Sequence, residues 1–361
     1  MRAFRVGLVA SALLASTVGA CLAAAHLGGP PPPSLITYRT PTRPFQAVAA
    51  PVPQLGIDID WYTFPGQEIT NAAKADVAYV RSLHANAVSI SFPFFMHGRY
   101  SSRVYAGSAT PSPKELAIVA STAERAGLYV SLRPLLDEKS LGISRVFWKP
   151  LHPGAWFASY QEFLLRYAEM AQRTGVRELI NGTEFVQFGK SPYWRSLDRA
   201  LRHVFKGTLA YANNWGHPVG GNGGPGVQET VDAYPPMPQM PADASVARLA
   251  AGWAAFDRRL PRGTVETEVD IAAVPGAFAR PYQLYWNGAR LVPSVQVRWF
   301  TAACRAMVST HMGGIYFWAV GLGQALNIPP RRSDPASWVS GPGARAISAC
   351  FTRLRPGRQA A

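Results

Sequence analysis

Leu179-Ile180-Asn181-Gly182-Thr183-Glu184-Phe185 decides the architecture. An apolar pair leads through a glycine to one carboxylate, and aromatic residues follow at Phe185 and Phe188. The stretch reads as a short buried strand that delivers a single Glu at its end. The design returns in Thr264-Val265-Glu266-Thr267-Glu268-Val269-Asp270-Ile271, where Glu268 stands 84 residues after Glu184.

Upstream of Glu184, strand-like and helix-like segments alternate. Leu55 to Trp61, Asn86 to Phe92 and Leu128 to Leu132 read as strands, the second stopped by Pro93 and the third by Arg133-Pro134. Between them lie helices over about 70–84 and 112–126, the latter with Ser112 as cap and Gly127 as stop. A helix over 156–173 places Trp156, Tyr160, Phe163, Tyr167 and Met170 on one face at spacings of three and four. It ends at Gly175, just before the Glu184 strand.

Downstream the rhythm continues. Strands are expected over 208–213, 231–234, 264–271 and 313–318, and helices over about 193–205, 244–260, 293–310 and 343–354. Six glycines (Gly216, Gly220, Gly221, Gly223, Gly224 and Gly226), with Gly207 upstream of the fifth strand, keep the stretch after that strand from forming a regular helix. Eight strands alternating with helices over about 300 residues give an α/β fold, a single (β/α)8 TIM barrel. A doubly wound sheet is the alternative. It lacks support because no Gly-rich phosphate loop follows the first strand.

The barrel is expected over 54–355. Residues 1–25 read as a signal or lipoprotein sequence, 26–53 as a Pro-rich linker and 356–361 as a tail. Arg2 and Arg5 precede an apolar run from Val6 to Ala20, too short for a comfortable span and ended by small residues. Val18-Gly19-Ala20-Cys21 resembles a lipobox, and Ala23-Ala24-Ala25 offers a competing cleavage site. Both imply export, with a lipid anchor at Cys21 in the first case. Removing or lipidating Cys21 leaves Cys304 and Cys350, a candidate disulfide between the last two helices, with two buried thiols as the other reading.

The formal charge of +15 is spread along 361 residues. No basic block interleaved with aromatics marks a nucleic-acid groove, and no CxxC or HExxH marks a metal site. A solvated basic surface is one reading, and attraction to an anionic envelope polymer or membrane is the other.

In a barrel of this type the chemistry gathers at the C-terminal ends of the strands. Asp60 and Trp61, Arg133, Glu184, Asn213 and Trp215, Asp232 and Tyr234, Glu268 and Asp270, and Trp318 fall there. Aromatics can stack on sugar rings, and two carboxyls can flank one glycosidic bond. The same residues also have plain structural readings: Trp61, Trp215 and Trp318 as rim side chains, Asp60 and Asp232 as turn caps, Arg133 as a carboxylate partner. The pair of strand-end glutamates tips the balance toward glycoside hydrolysis. Glu184 is then the acid/base and Glu268 the nucleophile. Glu266 competes for that role, because strand alternation points it the same way. Asp60, Trp61, Arg133, Asn213, Trp215, Tyr234 and Trp318 would bind a β-linked glycan. No metal or organic cofactor is required.

Five segments carry a family resemblance over residues 55–320. Ile180 to Glu184 is similar to the acid/base strand of glycoside hydrolase family 113, and Val265 to Val269 to its nucleophile strand. Tyr211-Ala212-Asn213-Asn214-Trp215 resembles its fifth strand, Asp232 to Pro236 its sixth, and Trp156 with Tyr160 its helix start. The resemblance implies a retaining barrel related to β-mannanases. Two departures stand out: Arg133-Pro134-Leu135 where the family has Lys-Pro-His, and Asp270 where it has Gly. A glycan-binding envelope lipoprotein without activity, or a transglycosylase, are the alternatives.

Overall fold

The computed structural model describes residues 49–217, 220–327 and 334–354. The leader, Cys21, most of the linker and the tail lie outside them.

Two short runs show how local sequence sets the elements. Helix α2 (Pro113–Arg125) begins with a capping box: the Ser112 hydroxyl accepts from the Glu115 N–H at 3.3 Å, and the Glu115 carboxylate accepts from the Ser112 N–H at 2.7 Å. Pro113 fills the first position, where no N–H is needed. Helix α4 (Pro153–Thr174) buries the predicted face of Trp156, Tyr160, Phe163, Tyr167 and Met170. Each such side chain contributes about 2–3 kcal/mol of transfer free energy.

The remaining elements are β1 (Gln54–Asp60), α1 (Ile69–Ser82), β2 (Ala87–Met96), β3 (Val104–Tyr105), β4 (Tyr129–Leu136), α3 (Glu138–Leu141), β5 (Glu178–Thr183), α5 (Tyr193–Val204), β6 (Thr208–Asn214), β7 (Gln228–Asp232), α6 (Val246–Asp257), β8 (Val265–Val269), α7 (Ser294–Thr310), β9 (Gly314–Gly321) and α8 (Pro342–Leu354). Eight strands (β1, β2, β4, β5, β6, β7, β8 and β9) run parallel in chain order, and β1 pairs with both β2 and β9, which closes the barrel. The two-residue β3 adds antiparallel to the end of β2. This is the expected single (β/α)8 barrel.

The prolines did not end their strands. Strand β2 runs through Pro93 and β4 through Pro134, in the register Phe92↔Pro134 and Pro93↔Leu135. A proline removes one ladder donor but leaves an extended backbone intact, and both lie toward the open end of the barrel. The longer β4 therefore carries Arg133 inside the strand.

Two bulges matter for function. In the β5–β6 pairing Ile180 faces Ala210 but Gly182 faces Tyr211, so Asn181 is an extra residue. In the β7–β8 pairing Val231 faces Glu266 and Asp232 faces Glu268, so Thr267 is extra.

The disulfide Cys304–Cys350 is present, with Cα atoms 6.2 Å apart. It joins α7 to α8 as expected.

Candidate active site

Glu184 follows directly on β5. Behind it Asn181 donates to Asp198 of α5 at 2.6 Å, and the Tyr160 hydroxyl donates to the Asn181 carbonyl at 3.0 Å. Gly182 is required by space, because a Cβ there would come within 2.6 Å of Trp194 and 2.7 Å of Tyr211. Trp148, Trp156, Phe185, Phe188 and Trp194 form an aromatic wall with ring centroids 5.3–6.4 Å apart in the pairs that join them to Trp148, Trp156 and Trp194. Glu184 itself adopts φ +56°, a left-handed conformation that costs about 1–3 kcal/mol outside glycine. Its N–H donates to the Ala212 carbonyl at 2.8 Å, which fixes the turn.

The Glu184 carboxylate has two partners. Asn214 donates to Oε1 at 2.7 Å, and the Arg145 guanidinium lies 3.1 Å from Oε2. Burial raises the Glu184 carboxyl above the ordinary range. Arg145 acts against burial, and the negative charge of Glu268 adds to it.

Glu268 stands at the end of β8. The Arg133 guanidinium lies 2.6 Å from its Oε2, and the Tyr234 hydroxyl donates to its Oε1 at 2.6 Å. Arg133 also donates to Asp232 at 2.5 Å, and Asp232 accepts from Thr267 at 3.0 Å. Arg133 and Asp232 are fully buried. Burial pushes the Asp232 carboxyl well up, with Arg133 opposing. Burial lowers the Arg133 affinity for its proton, but the surrounding carboxylates outweigh it and the net shift is upward.

Asp60, at the end of β1, feels both Glu268 and Arg133, and burial raises its carboxyl to about 7. The Trp318 ring centroid lies 5.6 Å from the Arg133 guanidinium carbon, and Trp318 is partly exposed. Asp60, Arg133, Asp232, Tyr234, Glu268 and Trp318 thus gather around one point. Trp215 stands at the end of β6, where its ring stacks on half-exposed Tyr282 at 5.5 Å and 12°.

Three sequence expectations need correction. Trp61 is 1% exposed and its indole N–H donates to Gln67 at 2.8 Å, so it is buried and presents no platform. Asn213 is 1% exposed and fully engaged: it donates to Glu229 and the Thr230 carbonyl and accepts from Asn222 at 2.6 Å. Its neighbour Asn214 is the residue that meets Glu184. On β6, Tyr211 and Asn213 face the helices and the glycine loop, while Ala210, Ala212 and Asn214 face inward. Finally, Glu266 and Glu268 do not share a face. The bulge at Thr267 turns Glu266 outward beside Val231, where burial and the charge of Asp257 at the end of α6 raise its carboxyl.

Two further residues belong to the site, Asn214 and Arg145. Asn214 was signalled by strand parity, since one of two adjacent asparagines had to face inward. Arg145 lies in the irregular stretch between α3 and α4 and carries no sequence signal.

A groove of about 540 Å³ between α7 and α8, lined by residues such as Val297, Arg305, Ala346 and Leu354, contains none of these carboxyls. Chemistry rather than concavity marks the site.

A family model, Glycoside Hydrolase Family 113, matches residues 58–321. Among solved structures, the family 113 β-mannanase of Alicyclobacillus acidocaldarius in complex with ManMIm aligns with a TM-score of 0.70 at 21% identity, covering 85% of this chain and 99% of that one. A complex of a family 113 β-1,4-mannanase aligns with a TM-score of 0.66 at 18% identity, over 83% of this chain and 98% of that one. A family 5 glycoside hydrolase of Bifidobacterium longum in complex with Manβ1-4GlcNAc reaches 0.51 at 13% identity, over 84% and 78%. At these identities the solved structures speak for the fold. None of the curated proteins matches the chain.

Proposed function

Because the chain belongs to glycoside hydrolase family 113, we propose that it cleaves a β-mannan-like glycan by two-step displacement with retention of configuration. Glu184 is the acid/base and Glu268 the nucleophile. The observation that carries this assignment is the division of labour between the two carboxyls. Glu268 accepts from Arg133 and Tyr234, which hold it as an acceptor aimed by two donors. Glu184 is raised by burial and by Glu268, which suits a group that must first deliver a proton.

In the first half of the reaction, Glu184 gives its proton to the glycosidic oxygen while the carboxylate of Glu268 bonds to the anomeric carbon. In the second half, water attacks that carbon, its proton passes to Glu184 and the ester to Glu268 breaks. This scheme requires carboxyls about 5–5.5 Å apart. Asp60, Trp318 and the Trp215–Tyr282 stack are placed to hold sugar rings, with Tyr234 and Arg133 reaching the reacting ring through Glu268. The mannan class is supported by the names of the structural neighbours, both family 113 mannanases.

Export belongs to the same proposal. The leader at 1–25 carries it, and the Cys304–Cys350 disulfide supports it, because such bonds persist in oxidising compartments. The lipid anchor at Cys21 is tested by the mass of the mature N-terminus.

The test of the reaction is sugar release from β-mannans, β-glucans and bacterial wall polysaccharides, beside Glu184→Gln and Glu268→Gln. The anomer first released is read by proton NMR. Release of the β-anomer by the wild type and its loss in both variants supports the proposal. First release of the inverted anomer overturns the mechanism. Binding without release favours the glycan-binding alternative, and longer products at high substrate reveal transglycosylation.

A further inference from the structure

The acid/base carboxyl has a charged partner that neither the barrel nor any motif supplies. Arg145 comes from the stretch between α3 and α4, yet its guanidinium reaches Glu184 Oε2 at 3.1 Å with side chains only 15% and 12% exposed. Nη1 of the same group lies 3.9 Å from Glu138 Oε1 and donates to the Leu136 carbonyl at 3.4 Å. Glu138 is in turn held by the Ser144 hydroxyl at 2.8 Å and the Arg145 N–H at 2.9 Å. The loop therefore folds on itself and points one cation at one catalytic oxygen.

Such a cation is an odd companion for a group whose first task is to donate a proton, because it favours the ionised form. It makes sense for a group that must do two opposite things. Glu184 is protonated at the start of the first half-reaction and ionised at the start of the second. We propose that Arg145 is a positioning residue that readies Glu184 for the second half-reaction, holding its carboxylate ionised and aimed once Glu268 has become an ester. This inference rests on the two-step reading above.

The charges around Glu184 make the switch concrete. Arg145 approaches from the α3–α4 stretch, Arg133 from β4, Asp232 from β7 and Glu268 from β8, with Asn214 and Tyr211 from β6. In the free enzyme Glu268 is a negative neighbour that opposes ionisation of Glu184. Esterification removes that charge, while Arg145 stays. The balance at Glu184 then moves toward the carboxylate, which is the form needed to take a proton from water. No step requires a further reactant: the proton that leaves Glu184 with the first product is replaced by one from the attacking water.

The experiment uses the full chain with Arg145→Gln, Arg145→Lys and Glu138→Gln. Glu184 is followed by carboxyl carbon NMR and assigned by its loss in Glu184→Gln, a readout that needs no substrate. Hydrolysis is followed as kcat/KM against pH on the best glycan, and on an aryl glycoside whose leaving group needs no proton. Arg145→Gln is expected to raise the Glu184 titration and the alkaline limb of kcat/KM together, by about one pH unit. It should also slow the second half-reaction on the aryl glycoside, seen as a burst of phenol. Arg145→Lys should restore most of both, and Glu138→Gln, which strengthens the hold of Arg145 on Glu184, should shift the titration down. A titration that stays put in Arg145→Gln and Glu138→Gln, whatever happens to activity, overturns the proposal and leaves Arg145 a structural residue. Failure of the wild type to cleave any glycan strikes the reaction assignment instead, and the titration still decides the role of Arg145 as a partner of Glu184.

Discussion

Glu266 and Glu268 sit two residues apart on β8 and face opposite sides of the sheet. Glu268 meets Arg133 and Tyr234 inside the barrel, and Glu266 meets Asp257 in the helical layer. Substitution at the two positions should therefore separate cleanly. Glu268→Gln is expected to lower kcat by at least about 10³-fold with little change in melting temperature, since a neutral amide cannot attack the anomeric carbon. Glu266→Gln should keep kcat within about threefold. It removes one of two adjacent buried acids, so melting temperature should hold or rise. Loss of activity in Glu266→Gln with an unchanged fold would move the nucleophile and undo the site as drawn.

Arg133 is the second test, because it links two carboxylates in a closed interior. Removing one partner of a buried ion pair costs about 3–5 kcal/mol, chiefly from the charges left behind. Arg133→Ala is therefore expected to lose activity and to melt well below the wild type. Arg133→Met with Asp232→Asn should recover part of the stability and none of the activity, because the charge at Asp232 is gone while Glu268 has lost its guanidinium donor. Chemical denaturation of both variants, beside sugar release, checks the split.

The disulfide gives a third expectation. It closes a loop of 46 residues between α7 and α8. Chain-entropy reasoning for a loop of that size gives about 4 kcal/mol, and measured effects run at about 2–4 kcal/mol. Cys304→Ser with Cys350→Ser should lower the melting temperature by several degrees in scanning calorimetry and leave kcat unchanged. Reductant should shift the wild type to the same value and the variant not at all.

Much of this molecule was legible in its sequence, and the limits have physical causes. The strand rhythm, the helix face from Trp156 to Met170 and the two strand-end glutamates follow from periodicity and composition, which are local. Arg145 did not follow, because its role is set by where an irregular stretch lands in space. The opposite facing of Glu266 and Glu268 did not follow either. A bulge depends on the register of a neighbouring strand, and Thr267 carries no mark of being the extra residue. Asn213 and Asn214 show the halfway case. The pair was visible and the parity rule was available, but the facing of β6 is fixed by Tyr211 against Trp194, a contact with α5. The strands through Pro93 and Pro134 failed for a milder reason: proline disfavours a central strand without forbidding it.

The last expectation concerns pH and stability. Glu178 sits 2% exposed at the start of β5, its carboxylate accepts from the Ser131 hydroxyl at 3.1 Å, and burial raises its carboxyl to about 7. The folded state therefore holds a proton that the unfolded chain releases near pH 4–4.5. Over that window the native state binds more protons than the unfolded one, so stability falls as pH rises from about 4 to about 7 and then levels off. Asp198, also raised to about 7 by burial, and Asp257, raised to about 6, add to the same slope. Glu178→Gln keeps the shape and removes the charge. Its unfolding free energy in urea should exceed that of the wild type at pH 8 by about 3 kcal/mol, the linkage expected for a carboxyl raised from its ordinary range to about 7. The difference should shrink to near zero at pH 4. An equal gain at both pH values would mean that the carboxyl is not the titrating group, and a loss at both would mean that the Ser131 hydrogen bond outweighs the cost of burying the charge.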